Sequence, residues 1–233
     1  MSKAGVPRHD PIPIGDIAAP PFVRLPDPLT VFAARSLRFR ALAEGHQLGP
    51  YLLFLAAISE CQHRIQKDLP EPDPPADDMR ERAREHAIAA ALQVHFARLA
   101  ARLDPAALVP IGDGVCPACG GAPVASAIVG WKGAHGTRFC TCSLCATQWH
   151  VVRIKCVLCE STAGIAYEEL DSGPDTVKAE TCESCHGYLK ILHQHKNPQL
   201  EAVADNVATL GLDLLLRENG YRRGAVNPFL LGY

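Results

Sequence analysis

The stretch "CPACGGAP", residues 116–123, sets two cysteines two residues apart in a glycine-rich turn, and it is the first of four such pairs. The others are Cys142/Cys145, Cys156/Cys159 and Cys182/Cys185. The set repeats at a fixed offset of 40, from 116 to 156, 119 to 159, 142 to 182 and 145 to 185. Duplication of one four-cysteine unit accounts for that spacing.

Two intervening residues let one tight turn aim both sulfurs at a single ion, while backbone N–H groups of the turn hydrogen-bond the thiolates. Gly120 and Gly121 suit such a close approach at the first turn. A second pair on a returning strand then completes a tetrahedral four-thiolate site. Spacing alone leaves two pairings open, sequential or interleaved. The duplication favours Cys116, Cys119, Cys142 and Cys145 on one ion, and Cys156, Cys159, Cys182 and Cys185 on a second. All-sulfur tetrahedral sites suit iron or zinc, and a closed one leaves no open position for a catalytic water. Cys61 and Cys140 lie outside the pattern and read as packing residues.

Outward from the cysteines the texture changes on both sides. Residues 6–28 hold seven prolines and form an extended arm. A helical pattern starts near Pro28 with Phe32, Ser36, Phe39 and Ala43 on one face, and a second, largely apolar helix runs from Tyr51 to about Lys67. Asp77 or Asp78 can cap a third, on which Ile88, Leu92, Phe96, Leu99 and Leu103 make a stripe expected to pack into a core. Short β-like pieces follow: "PVASAIVGW", "TRFCTC", "QWHVVRIKC", "GIAYEEL" and "DTVKAETC". Past Lys196, Leu200, Val203, Val207, Leu210 and Leu214 repeat helically up to Gly220. The expected class is α+β: an arm (1–28), a helical domain (29–109), two tandem rubredoxin-like or zinc-ribbon modules (110–155 and 156–196), and a C-terminal helix and tail (197–233).

Bulk properties exclude several functions. The longest apolar run, "YLLFLAAI" at residues 51–58, is far short of the ~20 residues that span a bilayer, so no membrane span is expected. The first 22 residues hold no apolar export segment, so a cytoplasmic location is expected, where paired cysteines point to metal rather than disulfides. Residues 116–196 carry seven lysines and arginines against seven carboxylates, so the module lacks the basic footprint of a nucleic-acid reader. No nucleophile–base or nucleotide-binding motif is evident, and the chain does not read as an enzyme. His135, His150, His186, His193 and His195 lie in the module, but eight thiolates satisfy two ions without them. Trp149 and Tyr188 are expected to pack over the metal turns.

The runs "HVVRIKCVLCESTAGIAYEEL" (150–170), "VKAETCESCHGYLKIL" (177–192) and "VADNVATLGLDLLLRENGYRRGAVNPFLL" (203–231) resemble the FdhE-like formate dehydrogenase accessory protein family. The helical stretch "ALAEGHQLGPYLLFLAAISECQ" (41–62) is similar to the family's N-terminal part. The resemblance implies a rubredoxin-like pair of metal modules on a helical domain, iron as the metal with zinc as runner-up, and all eight paired cysteines as ligands. It also implies cytoplasmic contact with the catalytic subunit of a respiratory formate dehydrogenase before export, without catalysis by the factor itself. Three of the four knuckles lack the glycine typical after a rubredoxin CxxC. An iron redox protein serving that client is the alternative, with a zinc-ribbon nucleic-acid binder third.

Overall fold

The computed structural model describes residues 23–65, 80–170, 173 and 175–230. Most of the proline-rich arm and the Asp77/Asp78 cap lie outside them. The chain is α+β, as its sequence implies: the described residues form an eight-stranded sheet, three helices before its second strand and two short helices before its last. Helix α1 (Pro28–Ala43) starts where the Asp27 carboxylate accepts from the Leu29 N–H at 3.1 Å, with proline in its first turn. It buries Phe32, Ser36 and Phe39 as its spacing requires. Helix α2 (Gly49–Ile65) inserts Leu52, Leu55 and Ala56 beside Phe39 to form the main core against the sheet, with Val124, Ala127, Leu192, Val203 and Phe229.

Helix α3 (Arg80–Ala100) overturns one expectation. Ile88, Leu92, Leu99 and Leu103 are 62%, 46%, 48% and 40% exposed, so of the expected stripe only half-buried Phe96 packs inward. The buried side is instead His86, Ala90, Gln93, Val94, Ala97 and Ala100. Its alanines let the helix lie close to the cysteine region, near enough for the Gln93 amide to donate to the Ser143 carbonyl at 2.7 Å.

The strands are β1 (Val23–Arg24), β2 (Pro123–Ile128), β3 (Arg138–Cys142), β4 (Gln148–Val151), β5 (Ile165–Glu168), β6 (Val177–Cys182), β7 (Gly187–Leu192) and β8 (Arg222–Arg223). Their order is β1-β4-β3-β2-β7-β6-β5, with β8 beside β7. Neighbours are antiparallel except at two places: β2–β7, where Ser126 faces Ile191 and Ala127 faces Leu192, and β7–β8. The β2–β7 contact joins the two cysteine repeats into one sheet. Strand β1 is the end of the arm, paired antiparallel with β4.

The helical C-terminal segment expected past Lys196 is present in two pieces, α4 (Ala204–Ala208) and α5 (Leu210–Glu218), interrupted at Thr209. The Glu201 carboxylate accepts from the Val203 and Ala204 N–H groups, which delays the start. The fully buried Lys190 ammonium then donates to the carbonyls of Asn206 and Thr209, at 2.8 and 2.9 Å, and to Asp213 at 2.5 Å. Thr209 leaves helical geometry there, at φ −99° and ψ 30°. Gly220, at φ +83°, ends the segment as its sequence position indicates.

Candidate metal centres

The eight paired cysteines gather into two sets: Cys116, Cys119, Cys142 and Cys145, and Cys156, Cys159, Cys182 and Cys185, each set with its sulfurs within 4.8 Å of one another. The sequential pairing is thus the one the fold adopts. Four sulfurs at ~2.3 Å around a tetrahedral ion lie about 3.8 Å apart. The observed separations are 3.6 Å for Cys116–Cys145, 3.5 Å for Cys119–Cys142, 3.8 Å for Cys156–Cys185 and 3.7 Å for Cys159–Cys182. They are far longer than the ~2.05 Å of a disulfide, and both sets fit one tetrahedral ion.

Each repeat contributes two knuckles. The first is closed by the N–H of the residue after the CxxC reaching back to the first cysteine: Gly120 to the Cys116 carbonyl and Glu160 to the Cys156 carbonyl, at 2.9 and 2.8 Å. That residue has positive φ in all four knuckles: Gly120 (75°), Ala146 (58°), Glu160 (63°) and His186 (51°). Gly121 is needed for another reason, since a Cβ there would sit 3.1 Å from the Cys142 sulfur and 3.3 Å from the Cys119 sulfur. Backbone N–H groups of Leu144 and Cys145 point at the Cys142 sulfur, at 3.4 and 3.5 Å.

Within the first set the thiols lie within hydrogen-bonding distance of one another. Hydrogen bonds with Cys116, Cys142 and Cys145 pull the Cys119 thiol down, while those with Cys116, Cys119 and Cys145 push Cys142 up. A divalent ion would take four thiolates and release the protons, so affinity for it falls as pH falls.

The two sites differ in burial. In the first, Cys116, Cys142 and Cys145 are buried in a core with Cys140, Trp149, Val151, Val157 and Leu189, Phe96 and Ala100 of α3 cover it, and Cys119 is half-buried. In the second, Cys156 and Cys182 are buried, Cys185 is half-buried and Cys159 is exposed. Trp149 packs over the first site as expected, its indole N–H donating to the Asp113 carbonyl at 2.8 Å. Tyr188 does not cover the second. It faces α5, donating to the Asp213 carboxylate at 2.7 Å. The residue 40 places after Trp149 is Leu189, and a one-residue slip along a strand reverses the face. Cys140 is a fully buried packing residue whose thiol burial pushes up to about 12, and Cys61 is half-buried.

Polar groups not singled out in the sequence hold the sites to the rest of the molecule. The Arg138 guanidinium, fully buried on β3, forms a bidentate pair with Glu180 on β6 at 2.8 and 2.9 Å. It also donates to the Arg153 and Lys155 carbonyls, just before Cys156. Gln93 accepts from buried Arg35 and from Gln62, both at 3.0 Å, and passes the connection to Ser143 in the second knuckle. The available signal was a polar residue on an otherwise apolar helix face. Of the histidines, His150 packs on Phe139 and His186 on Tyr221, whereas His135, His193 and His195 gather near the β2–β3 turn.

The sequence matches three family models: FdhE N-terminal over residues 20–89, FdhE central domain over 115–153 and FdhE C-terminal domain over 154–230. A protein named Protein FdhE homolog from Rhizobium meliloti (strain 1021) is 39% identical, over 96% of this chain and 97% of that protein. One of the same name from Serratia proteamaculans (strain 568) is 33% identical, over 86% and 88%. The crystal structure of the FdhE protein from Pseudomonas aeruginosa superposes with a TM-score of 0.79 at 28% identity, covering 90% of this chain and 99% of that one. With all three family regions present in order on the same fold, the chain belongs to the FdhE family.

Proposed function

We propose that the eight cysteines hold two metal ions, and that the loaded protein is a maturation factor for a respiratory formate dehydrogenase, docking its catalytic subunit in the cytoplasm before export. The observation that carries this is the pairing of FdhE family membership with two closed four-sulfur sites built into one sheet. Closed sites organise a surface and leave no open coordination position for substrate. The factor therefore acts by binding, not by catalysis. Among the described residues no helix is long and apolar enough to cross a membrane. The module's even charge balance gives no general attraction to nucleic acid. The test is a pull-down of the catalytic subunit with metal-loaded protein, beside a Cys116→Ser/Cys119→Ser variant. Recovery with the loaded protein and loss with the variant are expected; no recovery with either sinks the reading.

A second reading rests on the exposure of Cys159 and the half-burial of Cys185, which put the second site near the surface. Iron there would supply one-electron exchange with the client, which zinc cannot. Protein purified anaerobically from iron-replete cells is expected to show sulfur-to-iron absorption bands under this reading. Two colourless zinc ions per chain would remove it and leave docking intact.

A further inference from the structure

We propose that His135, His193 and His195 form a third metal site, for a divalent transition-metal ion of the imidazole-binding kind, separate from both cysteine sets. The three rings come from two segments far apart in sequence. His135 lies in the turn between β2 and β3, and His193 and His195 follow the end of β7. The ring centroids of His193 and His195 are 5.3 Å apart and those of His135 and His195 are 6.1 Å apart. Two imidazoles bound through nitrogen at ~2.0–2.1 Å to one tetrahedral ion place their centroids about 5.2 Å apart. The first pair already stands at that spacing. The second needs to close by about 0.9 Å, by the same tetrahedral geometry, and exposed His135 on its turn is the ring that moves.

His193 Nε2 and His195 Nδ1 are both shielded from solvent and have no hydrogen-bond partner. An imidazole nitrogen in that state is a free lone pair or an unsatisfied donor, and coordination removes the cost of either. The segments are positioned by backbone contacts that do not involve the rings. The His193 N–H donates to the Thr176 carbonyl at 2.8 Å, and the His195 N–H to the Ile128 carbonyl at 3.1 Å. Gly130 lies so close that a Cβ there would be 3.1 Å from the His195 Cα. A cleft lined by Arg24, Trp131, Gln148, Gln194 and Pro198 opens beside His195.

Lys196 and Lys178 stand near His193, which would repel a cation, but each is held by its own carboxylate: Lys196 by Asp175 at 2.8 Å and Lys178 by Glu169 at 2.7 Å. Arg153 adds a more distant positive charge. The balance makes this site weaker than the thiolate sites and last to fill. An ion here would clip the β2–β3 turn of the first repeat to the end of β7 in the second, beside the β2–β7 contact that joins them.

The test uses tag-free, full-length protein whose thiolate sites are filled with zinc, titrated with further Zn2+ against a chromophoric chelator. A third equivalent is expected. His135→Ala, on the exposed turn, and His195→Gln, which keeps polarity and size, should each weaken that equivalent at least ~10-fold. Neither should change the first two. Wild-type protein that stops at two equivalents overturns the proposal, as does a third equivalent that both variants bind unchanged. Ring 15N shifts at His193 and His195 on adding the third equivalent give an independent readout; their absence counts against the site.

Discussion

At the scale of single residues, the knuckles show how the fold overrides local preference. Every CxxC is followed by a residue with positive φ, and only Gly120 is a glycine. For an L residue the left-handed conformation costs ~1–2 kcal/mol, and backbone hydrogen bonds hold the chain there: Glu160 N–H to the Cys156 carbonyl, Cys142 N–H to the Thr147 carbonyl around Ala146, and Arg222 N–H to the His186 carbonyl. Ala146 is the cleanest probe. The Glu160 side chain pairs with Lys155, and the His186 ring lies against Tyr221. Glycine at Ala146 removes the strain but adds ~0.5–1 kcal/mol of unfolded-state entropy, leaving a net gain of up to about 1 kcal/mol. Ala146→Gly is therefore expected to raise the thermal midpoint by ~2–4 °C with metal content unchanged. A lower midpoint would show that the turn is not strained. The four cysteine pairs were legible in sequence, because CxxC spacing is a local property, while the choice between sequential and interleaved pairing rested on the duplication. The positive φ at residues 146, 160 and 186 was not, since those side chains carry no mark of it.

At the scale of elements, what was hidden is whatever depends on burial of polar groups. Strand β7 lacks the alternation that marks a strand: all six residues of "GYLKIL" are buried, and the lysine in its middle is neutralised by Asp213 on α5. The α3 stripe misled in the opposite way. A 3.6-residue apolar period is present, but a second face of alanines and glutamine packs closer and wins the core. The Arg138–Glu180 pair belongs to the same class, joining β3 to β6 across the two strands between them. Ser126 on β2 accepts from Arg138 at 3.1 Å, and the Tyr167 hydroxyl donates to Glu180 at 3.1 Å, so neither charge lacks a partner. Arg138→Met would strand a carboxylate that is 3% exposed, at a cost of ~3–5 kcal/mol. Arg138→Met with Glu180→Leu should recover most of that loss, because burying neither charge is close to neutral. Chemical denaturation of the two variants checks this. A single variant within ~1 kcal/mol of wild type would mean that water reaches the pair.

For the whole molecule, the offset of 40 implied two tandem units, yet the structure makes one sheet of them and gives the two four-cysteine sites unequal surroundings. The first is enclosed by α3, β4 and residues of the second repeat such as Val157 and Leu189. The second lies toward the surface, with Cys159 exposed. An ion that binds only the folded chain stabilises it by ~4 kcal/mol at a thousand times its dissociation constant. Because the sheet is continuous through β2 and β7, loss of either ion should lower the midpoint of one shared unfolding transition and not create a second. The rates of loss should differ. A chelator can reach the second site in the folded protein through exposed Cys159, whereas Phe96 and Ala100 cover the first, which opens further when α3, the helix that carries them, lifts away. Release into a colorimetric chelator is thus expected in two phases of one ion each, the fast one missing from Cys159→Ser and the slow one missing from Cys116→Ser. Small-to-large changes in the α3 contact, such as Ala100→Val, should speed the slow phase and leave the fast one alone. Single-phase release of both ions would show that the shared sheet, not local cover, governs access to each site.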